Sequence, residues 1–256
     1  MEYQLKVEGK FKYIDEGQGE IIVLLHGLFG ALSNWRSVIE HFSSRYRIVI
    51  PLMPIYEMPI LSTSAEGLAD FIYEFIKYKG FGKVTLLGNS LGGHVALIYT
   101  KKHMEMVKCL ALTGSSGLYE NAMGGSFPKR GDYEYIKKKV EYTFYAPETA
   151  TKELVDEVYS ITNDRNKILR ILSMAKSAIR HNMRKDIPKF TIPTCLIWGL
   201  NDRVTPPEVG EEFHTLFPDS ELHFLDKCGH APMMEQPEEF NKILDAFLNR
   251  IYPPSK

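Results

Sequence analysis

The sequence predicts an α/β protein with a mostly parallel central sheet, helices on both faces and a helical cap inserted between two strands. Short β-branched runs alternate with helical patterns along most of the 256 residues. The alternation stops over one long helical stretch and then resumes. The first residues instead alternate between polar and apolar side chains, which is typical of an edge hairpin.

The predicted strands begin with that hairpin, in residues 2–17, EYQLKVEGKFKYIDEG, which we expect to be antiparallel at the edge of the sheet. Six later runs have the length and continuity of buried parallel strands. They are 21–25, 47–50, 83–87, 107–112, 194–198 and 221–225.

The clearest predicted helix runs from Ser64 to Lys79. Thr63 and Glu66 have the spacing of a capping box, and Gly80 is suited to ending the helix. One apolar stripe runs along it, made of Leu68, Phe71, Ile72, Phe75 and Ile76.

The stretch from 118 to 187 lacks β-branched runs, and its apolar residues follow helical spacing. Ligands of open α/β sheets bind beyond the carboxyl ends of the strands, so an insertion there is expected to form a cap over that edge. The alternative is an enlarged crossover with only a packing role. We therefore divide the chain into a core, 1–117 and 188–256, and a cap, 118–187.

Composition excludes several classes of function. With 31 basic and 32 acidic side chains, the formal charge of −1 gives no overall field for holding nucleic acid or an anionic membrane. The N-terminal residues lack the apolar stretch of a signal peptide, and no run is long enough for membrane insertion. The three widely spaced cysteines are typical of free thiols, so we expect a cytoplasmic protein.

Residues Gly88 to Gly92, GNSLG, match G-x-S-x-G, the sharp strand-to-helix turn that exposes a nucleophilic serine. A predicted strand precedes the motif and a helical pattern follows it, as that turn requires. Ser90 is therefore the candidate nucleophile.

A serine hydroxyl needs a base, and the base needs a group to orient it. His230 is the candidate base because it stands in a loop that follows a predicted strand. Asp202 is the candidate acid in the loop after 194–198, and Asp226 is its rival. The chain order serine, acid, histidine is the one found when such strands belong to a single hydrolase sheet.

An acyl-transfer intermediate also carries an oxyanion, which two preorganised donors must meet. The segment His26 to Gly30, HGLFG, follows a predicted strand and can direct backbone N–H groups into the site. We expect the donors to be the amides of Leu91 and Leu28, with Phe29 as the alternative to Leu28. His26 is expected to hold this loop in shape rather than to act as a base.

These motifs, together with WGLNDRVTP and DKCGHAPMMEQPEEFN, resemble the α/β-hydrolase superfamily over about residues 19 to 250. The resemblance implies the same triad, Ser90, Asp202 and His230, and the same two donors, Leu28 and Leu91. A serine at the elbow argues against the dehalogenase and epoxide hydrolase branches, which place an aspartate there.

GNSLGG and the Cys-Gly-His segment resemble both carbon–carbon bond hydrolases of aromatic ring cleavage and small carboxylesterases. Two departures weaken the first option. Ala231 stands where those hydrolases carry a tryptophan, and only Arg180 and Arg184 are possible matches for their substrate-carboxylate arginine. The superfamily's usual Asp-x-x-Gly-x-Gly-x-Ser run is replaced by residues 51–59, PLMPIYEMP, a loop that we expect to contact neither triad nor oxyanion loop.

The leading functional hypothesis is a serine hydrolase that cleaves an ester or related acyl bond of a small or medium-sized molecule under the cap. Carbon–carbon bond hydrolysis and thioester hydrolysis are the alternatives within catalysis. A ligand receptor that keeps the triad but turns over slowly is the alternative outside it. No metal or organic cofactor is implied, and no nucleotide motif is present in the sequence.

Overall fold

The computed structural model of the chain describes residues 3–29, 35–119 and 131–253. Its centre is an eight-stranded sheet with the order β1-β2-β4-β3-β5-β6-β7-β8. The strands are β1 (Lys6–Glu8), β2 (Phe11–Glu16), β3 (Ile21–Leu25), β4 (Arg47–Pro51), β5 (Val84–Asn89), β6 (Val107–Thr113), β7 (Thr194–Gly199) and β8 (Ser220–Leu225). The predicted fold class is confirmed.

The hairpin forms one edge of the sheet, as predicted. β1 pairs antiparallel with β2, and β2 pairs antiparallel with β4. All later pairs are parallel, so the carboxyl ends of β3 to β8 point to the same edge. Each of the six predicted runs overlaps a strand whose bounds differ from it by no more than two residues.

Helices cover both faces of the sheet. They are α1 (Arg36–Phe42), α2 (Ala65–Tyr78), α3 (Leu91–His103), α4 (Tyr133–Tyr142), α5 (Lys152–Asn163), α6 (Arg165–Arg180), α7 (Pro207–Leu216), α8 (Pro232–Glu235) and α9 (Pro237–Ile251). Alternate side chains of β3 enter two different cores: Val23 and Leu25 pack with α2 and α3, whereas Ile22 and Leu24 pack with α1 and α9. This alternation is the expected result of burying a strand on both faces.

The N-cap of α2 lies one residue later than the predicted capping box places it. Ser64, not Thr63, is the N-cap, and its hydroxyl accepts a hydrogen bond from Gly67 N–H at 2.9 Å. Thr63 donates to the carbonyl of Pro59 instead, and Glu66 bonds to Lys102. The helix then runs to Tyr78, and Gly80 takes the left-handed backbone conformation just beyond its end.

Three helices, α4 to α6, lie between β6 and β7, and within the described ranges no strand interrupts them. We call residues 131–180 the helical segment; the first part of the predicted cap, 120–130, lies outside the described residues. One face of α6 bonds to the chain before and at the start of α2: Arg170 donates to Met58 O, Ser173 donates to Thr63 O, and Ser177 accepts from Ala65 N. Its role as a cap stays a prediction.

The three cysteines, Cys109, Cys195 and Cys228, are buried free thiols. None of the helices that the structure describes combines the length and apolar character needed to cross a membrane.

Candidate active site

Ser90 stands at a strained turn between β5 and α3. Its backbone has φ 54° and ψ −120°, a conformation that costs free energy for a residue with a side chain. The surrounding chain requires glycine: a Cβ on Gly92 would lie 1.9 Å from the carbonyl oxygen of Leu25 on the neighbouring strand. The turn is held by hydrogen bonds from Ser90 N to Thr113 O and from Ser116 N to Ser90 O. The strand–turn–helix context predicted for this motif is therefore present.

His230 and Asp202 are in direct contact. Nδ1 of His230 lies 2.9 Å from Oδ2 of Asp202, and the two residues are only 6% and 3% exposed. An ionised carboxylate can only accept, so Nδ1 carries the proton and Nε2 is left as the basic nitrogen. This is the tautomer that a general base needs.

Asp202 is fixed by further donors. Its Oδ1 accepts hydrogen bonds from the backbone N–H groups of Val204 and Thr205, at 2.8 and 2.9 Å. Its Oδ2 accepts from the hydroxyl of Thr205 at 2.8 Å, and that hydroxyl lies 3.3 Å from Nδ1 of His230. Both oxygens are thus held by the loop that follows β7, and the imidazole meets a carboxylate of fixed orientation.

The rival acid, Asp226, does not contact the histidine. Its carboxylate accepts a hydrogen bond from the N–H of Lys227 at 2.8 Å, and the residue is exposed. Of the two aspartates that the sequence offered, the structure places Asp202 on His230.

Asn89 joins the turn that carries Ser90 to the loop between β8 and α8, residues 226–231, which we call the histidine loop. Its side-chain amide donates to the carbonyls of Thr113, at 3.0 Å, and His230, at 3.1 Å. Gly114, directly after β6, lies under the imidazole: a Cβ there would be 2.9 Å from Nδ1 of His230 and 2.8 Å from its carbonyl oxygen. The ends of β5 and β6 and the histidine loop therefore meet at the same edge of the sheet.

Gly114→Ala is expected to damage the site as well as the fold. Its φ of +49° costs an alanine about 1–2 kcal/mol, and the added methyl group must displace His230. Gly80→Ala is the matched control, because φ is +64° there but no atom lies within 4 Å of the new Cβ. Thermal unfolding should show a loss of stability in both variants, and turnover should fall only in Gly114→Ala. Equal turnover in the two variants would contradict this placement of His230.

The segment predicted to supply oxyanion donors lies beside Ser90. A Cβ on Gly27 would be 3.5 Å from the Cβ of Ser90, and Leu91 is the first residue of α3. Among the described residues, no carbonyl accepts a backbone hydrogen bond from the N–H of Leu28, Phe29 or Leu91. We call residues 26–29 the oxyanion loop; Gly30, the last residue of the motif, lies outside the described residues.

His26 has the position expected of a residue that shapes this loop. Its Nε2 accepts a hydrogen bond from Met53 N–H at 3.1 Å, so Nδ1 carries the proton and donates to the carbonyl of Gly27 at 2.8 Å. Complete burial lowers the pKa of this imidazole, which keeps it neutral. Both nitrogens are engaged with the backbone, and neither is left to act as a base.

The expectation that residues 51–59 avoid the oxyanion loop is wrong. Tyr56 donates its hydroxyl to the carbonyl of Leu28 at 2.6 Å, and Met53 bonds to His26 as described above. The sequence offered no signal for these contacts, because the loop lacks the superfamily's usual motif and its side chains reach across from β4 to β3. The loop belongs to the surroundings of the candidate site.

The histidine loop is also tied to the helical segment. His230 N–H donates to Thr143 O at 2.9 Å, just after α4. Glu235 accepts from Gly229 N at 2.9 Å and from Tyr145 N at 2.7 Å, and burial raises the pKa of its carboxyl. Sequence reasoning missed Glu235, Thr205 and Asn89, although all three lie inside motifs that it singled out.

Arg180 and Arg184, the two possible ligands for a substrate carboxylate, lie beside other groups of the protein. Arg184 forms an ion pair with Glu212 of α7 at 2.5 Å. Arg180 lines a cleft with Lys101 and Lys102, beside the C-terminal half of α3. Neither has a contact with the triad residues among those described.

One group of side chains among the described residues has the spacing of metal ligands: Cys195, Glu221 and His223. It lies on β7 and β8. Glu221 already pairs with His223 at 2.9 Å and with Arg250, so its carboxylate is satisfied by the protein. The group lies apart from Asp202 and His230, neither of which belongs to it.

Comparison with known proteins agrees with this geometry. A sequence profile described as the alpha/beta hydrolase family matches residues 22–243. A solved structure of MGS-MChE2, an alpha/beta hydrolase enzyme from the metagenome of sediments from the lagoon of Mar Chica in Morocco, superposes with a TM-score of 0.81. It is 48% identical and covers 96% of this chain and 98% of that chain.

Two curated relatives differ in their chemistry. A 2-hydroxy-6-oxo-6-(2'-aminophenyl)hexa-2,4-dienoic acid hydrolase of Metapseudomonas resinovorans is 30% identical, over 93% of this chain and 87% of its own length. Lipase 3 of a Moraxella species is 25% identical, over 91% of this chain and 78% of its own length. Since the family profile spans most of the chain and the fold agrees, the protein belongs to the alpha/beta hydrolase family and is a hydrolase.

Proposed function

We propose that the protein is a serine hydrolase that cleaves an ester or related acyl bond through Ser90, His230 and Asp202. The observation that carries the proposal is the buried hydrogen bond of 2.9 Å between His230 and Asp202, beside a serine on a strained strand-to-helix turn. Such a bond sets the tautomer in which Nε2 can take a proton.

In the proposed reaction, the Oγ of Ser90 bonds to the substrate's carbonyl carbon while its proton passes to Nε2 of His230. The carbonyl oxygen becomes an oxyanion. When the carbon–oxygen bond to the leaving group breaks, His230 returns the proton to the leaving alcohol, and an acyl-enzyme remains. Water then attacks by the same route, which releases the acid and restores the Ser90 hydroxyl.

Two N–H groups are proposed to receive the oxyanion. Leu91 is at the N-terminus of α3, where the helix dipole adds to its donor strength. Leu28 follows Gly27, which lies against Ser90, and Phe29 is the alternative donor.

Carbon–carbon bond hydrolysis is the second candidate, and a relative supports it: the chain is 30% identical to a hydrolase named for a 2-hydroxy-6-oxo-dienoic acid. The ester is favoured because neither Arg180 nor Arg184 contacts the triad, and Ala231 follows the histidine. Thioester hydrolysis, and a slow receptor that keeps the triad, remain further alternatives. We propose a small or medium-sized substrate under the helical segment and a cytoplasmic location.

A substrate panel separates these functions. Short p-nitrophenyl esters, the matching thioesters and a 2-hydroxy-6-oxo-dienoate should be compared by kcat/KM. We expect the esters to be turned over at least roughly 10-fold more efficiently than the dienoate, because Arg184 is paired with Glu212 and Arg180 lines a cleft beside α3, so neither is placed to bind its carboxylate. A preference for the dienoate would establish the carbon–carbon function instead, and one equivalent of product per protein over hours would indicate a receptor.

A further inference from the structure

Tyr56 lies between the helical segment and the oxyanion loop. Its hydroxyl donates to the carbonyl of Leu28 at 2.6 Å, and the ammonium of Lys167 on α6 is 5.7 Å from the centre of its ring. Burial and the charge of Glu157 on α5 raise the pKa of the phenol far above neutral pH. The hydroxyl therefore keeps its proton and serves as a donor throughout the physiological range.

This hydrogen bond restrains a peptide unit of the oxyanion loop. A peptide bond is planar and trans, so the carbonyl of Leu28 and the N–H of Phe29 point in opposite directions. Holding the carbonyl toward Tyr56 consequently sets the direction of that N–H. His26 restrains the preceding unit in the same way, through the carbonyl of Gly27 and hence the N–H of Leu28.

The two bonds together fix the backbone of Leu28 on both sides. The carbonyl before its N–H is bonded to His26, and its own carbonyl is bonded to Tyr56. Whichever of Leu28 and Phe29 donates to the oxyanion, its orientation depends on both bonds. Preorganised donors of this kind contribute to catalysis because no reorganisation is needed as charge develops.

Tyr56 is itself held in place by α6. Arg170 on α6 donates to Met58 O at 2.8 Å, two residues beyond the tyrosine, and Ser173 donates to Thr63 O at 2.9 Å. On the other side, Met53 N–H is bonded to His26. The segment that carries Tyr56 is anchored at both ends, which allows the hydroxyl to act as a fixed support.

We propose that Tyr56 is a positioning residue for the oxyanion loop, which orients its backbone donors toward the substrate oxygen. The inference rests on the proposed serine hydrolase function. It assigns to residues 51–59, the segment that departs from the superfamily pattern, a part in the reaction.

The test is Tyr56→Phe, which removes only the hydroxyl. We expect kcat for a p-nitrophenyl ester to fall roughly 10- to 100-fold, since small misplacements of catalytic groups have effects of that size, with KM within about twofold. Affinity for a boronic acid, which forms a tetrahedral adduct with Ser90, should fall with kcat. Backbone NMR order parameters of Leu28 and Phe29 should fall, because the peptide unit between them is no longer held. Tyr99→Phe is the matched control: Tyr99 is a buried tyrosine whose hydroxyl bonds to Met106 Sδ.

The inference is overturned if Tyr56→Phe keeps wild-type kcat, or if kcat falls while boronate affinity and the backbone order parameters of Leu28 and Phe29 match those of Tyr99→Phe. Failure of the proposed function has a different appearance, namely ester turnover that is independent of Ser90 or absent in the wild type. In that case the order parameters still decide whether Tyr56 holds the loop, because they need no substrate.

Discussion

Ser90→Ala is expected to lower kcat for p-nitrophenyl esters by at least about 10⁴-fold, leaving the residual rate that binding and oxyanion donors provide. The reason is that the proposed reaction passes through a covalent bond to Oγ, and alanine has no atom to form it. Alanine also relieves no strain at this turn, since φ remains positive. The measurement is steady-state turnover, with circular dichroism to establish that the variant is folded.

Ser220→Ala provides a demanding control. The hydroxyl of Ser220 lies 2.9 Å from Nδ1 of His214, so the two residues form a serine–histidine pair, but they lie at the amino end of β8. This variant should keep wild-type activity. If instead Ser90→Ala retained turnover while Ser220→Ala lost it, the site would be assigned to the wrong edge of the sheet.

Asp202→Asn is expected to lower kcat by about 10⁴-fold with little change in the fold. Backbone N–H groups of Val204 and Thr205 both donate to Oδ1, so the asparagine must keep its oxygen there. Its NH₂ group then faces Nδ1 of His230, where the carboxylate Oδ2 had been. Two donors cannot bond, so the imidazole shifts its proton to Nε2 and can no longer accept one from Ser90.

Asp226→Asn is the matched control for that substitution. Asp226 lies four residues before His230 in the sequence, but it bonds to Lys227 N–H rather than to the histidine. Steady-state turnover of p-nitrophenyl esters is the measurement: the variant at 202 should lose most of its activity, and the variant at 226 should keep it. Comparable losses in both variants would contradict the assignment of the acid.

The sheet was predictable because buried parallel strands are continuous apolar runs, and each of these runs overlaps a strand. Ser90 and His230 were predictable because their motifs follow such strands directly. The packing of the helical segment was harder to predict, because helical periodicity alone does not show what a helix packs against. Ser64 rather than Thr63 caps α2, an error of one residue that is typical of helix ends.

Tyr56 could not be found from the sequence because its partner, Leu28, is 28 residues away and contributes only a backbone carbonyl. Any side chain can surround such an acceptor, so no pattern at position 28 indicates it. Thr205 and Glu235 were missed for a similar reason. Thr205 donates to the carboxylate of Asp202, and Glu235 accepts from the backbone of Gly229, in loops whose path is set by tertiary packing. Sequence motifs predicted Ser90, Asp202 and His230 as the site, whereas the contacts of Tyr56, Thr205 and Glu235 required coordinates.

Ser90 is proposed to be the nucleophile, activated by His230. The most direct measurement is the site of covalent modification by a fluorophosphonate probe, read by peptide mass spectrometry on the intact protein. We predict one adduct on the peptide that contains Ser90, its absence in Ser90→Ala, and labelling slowed by several orders of magnitude in His230→Ala. An adduct on another serine, or esterase activity without any adduct, would contradict the account.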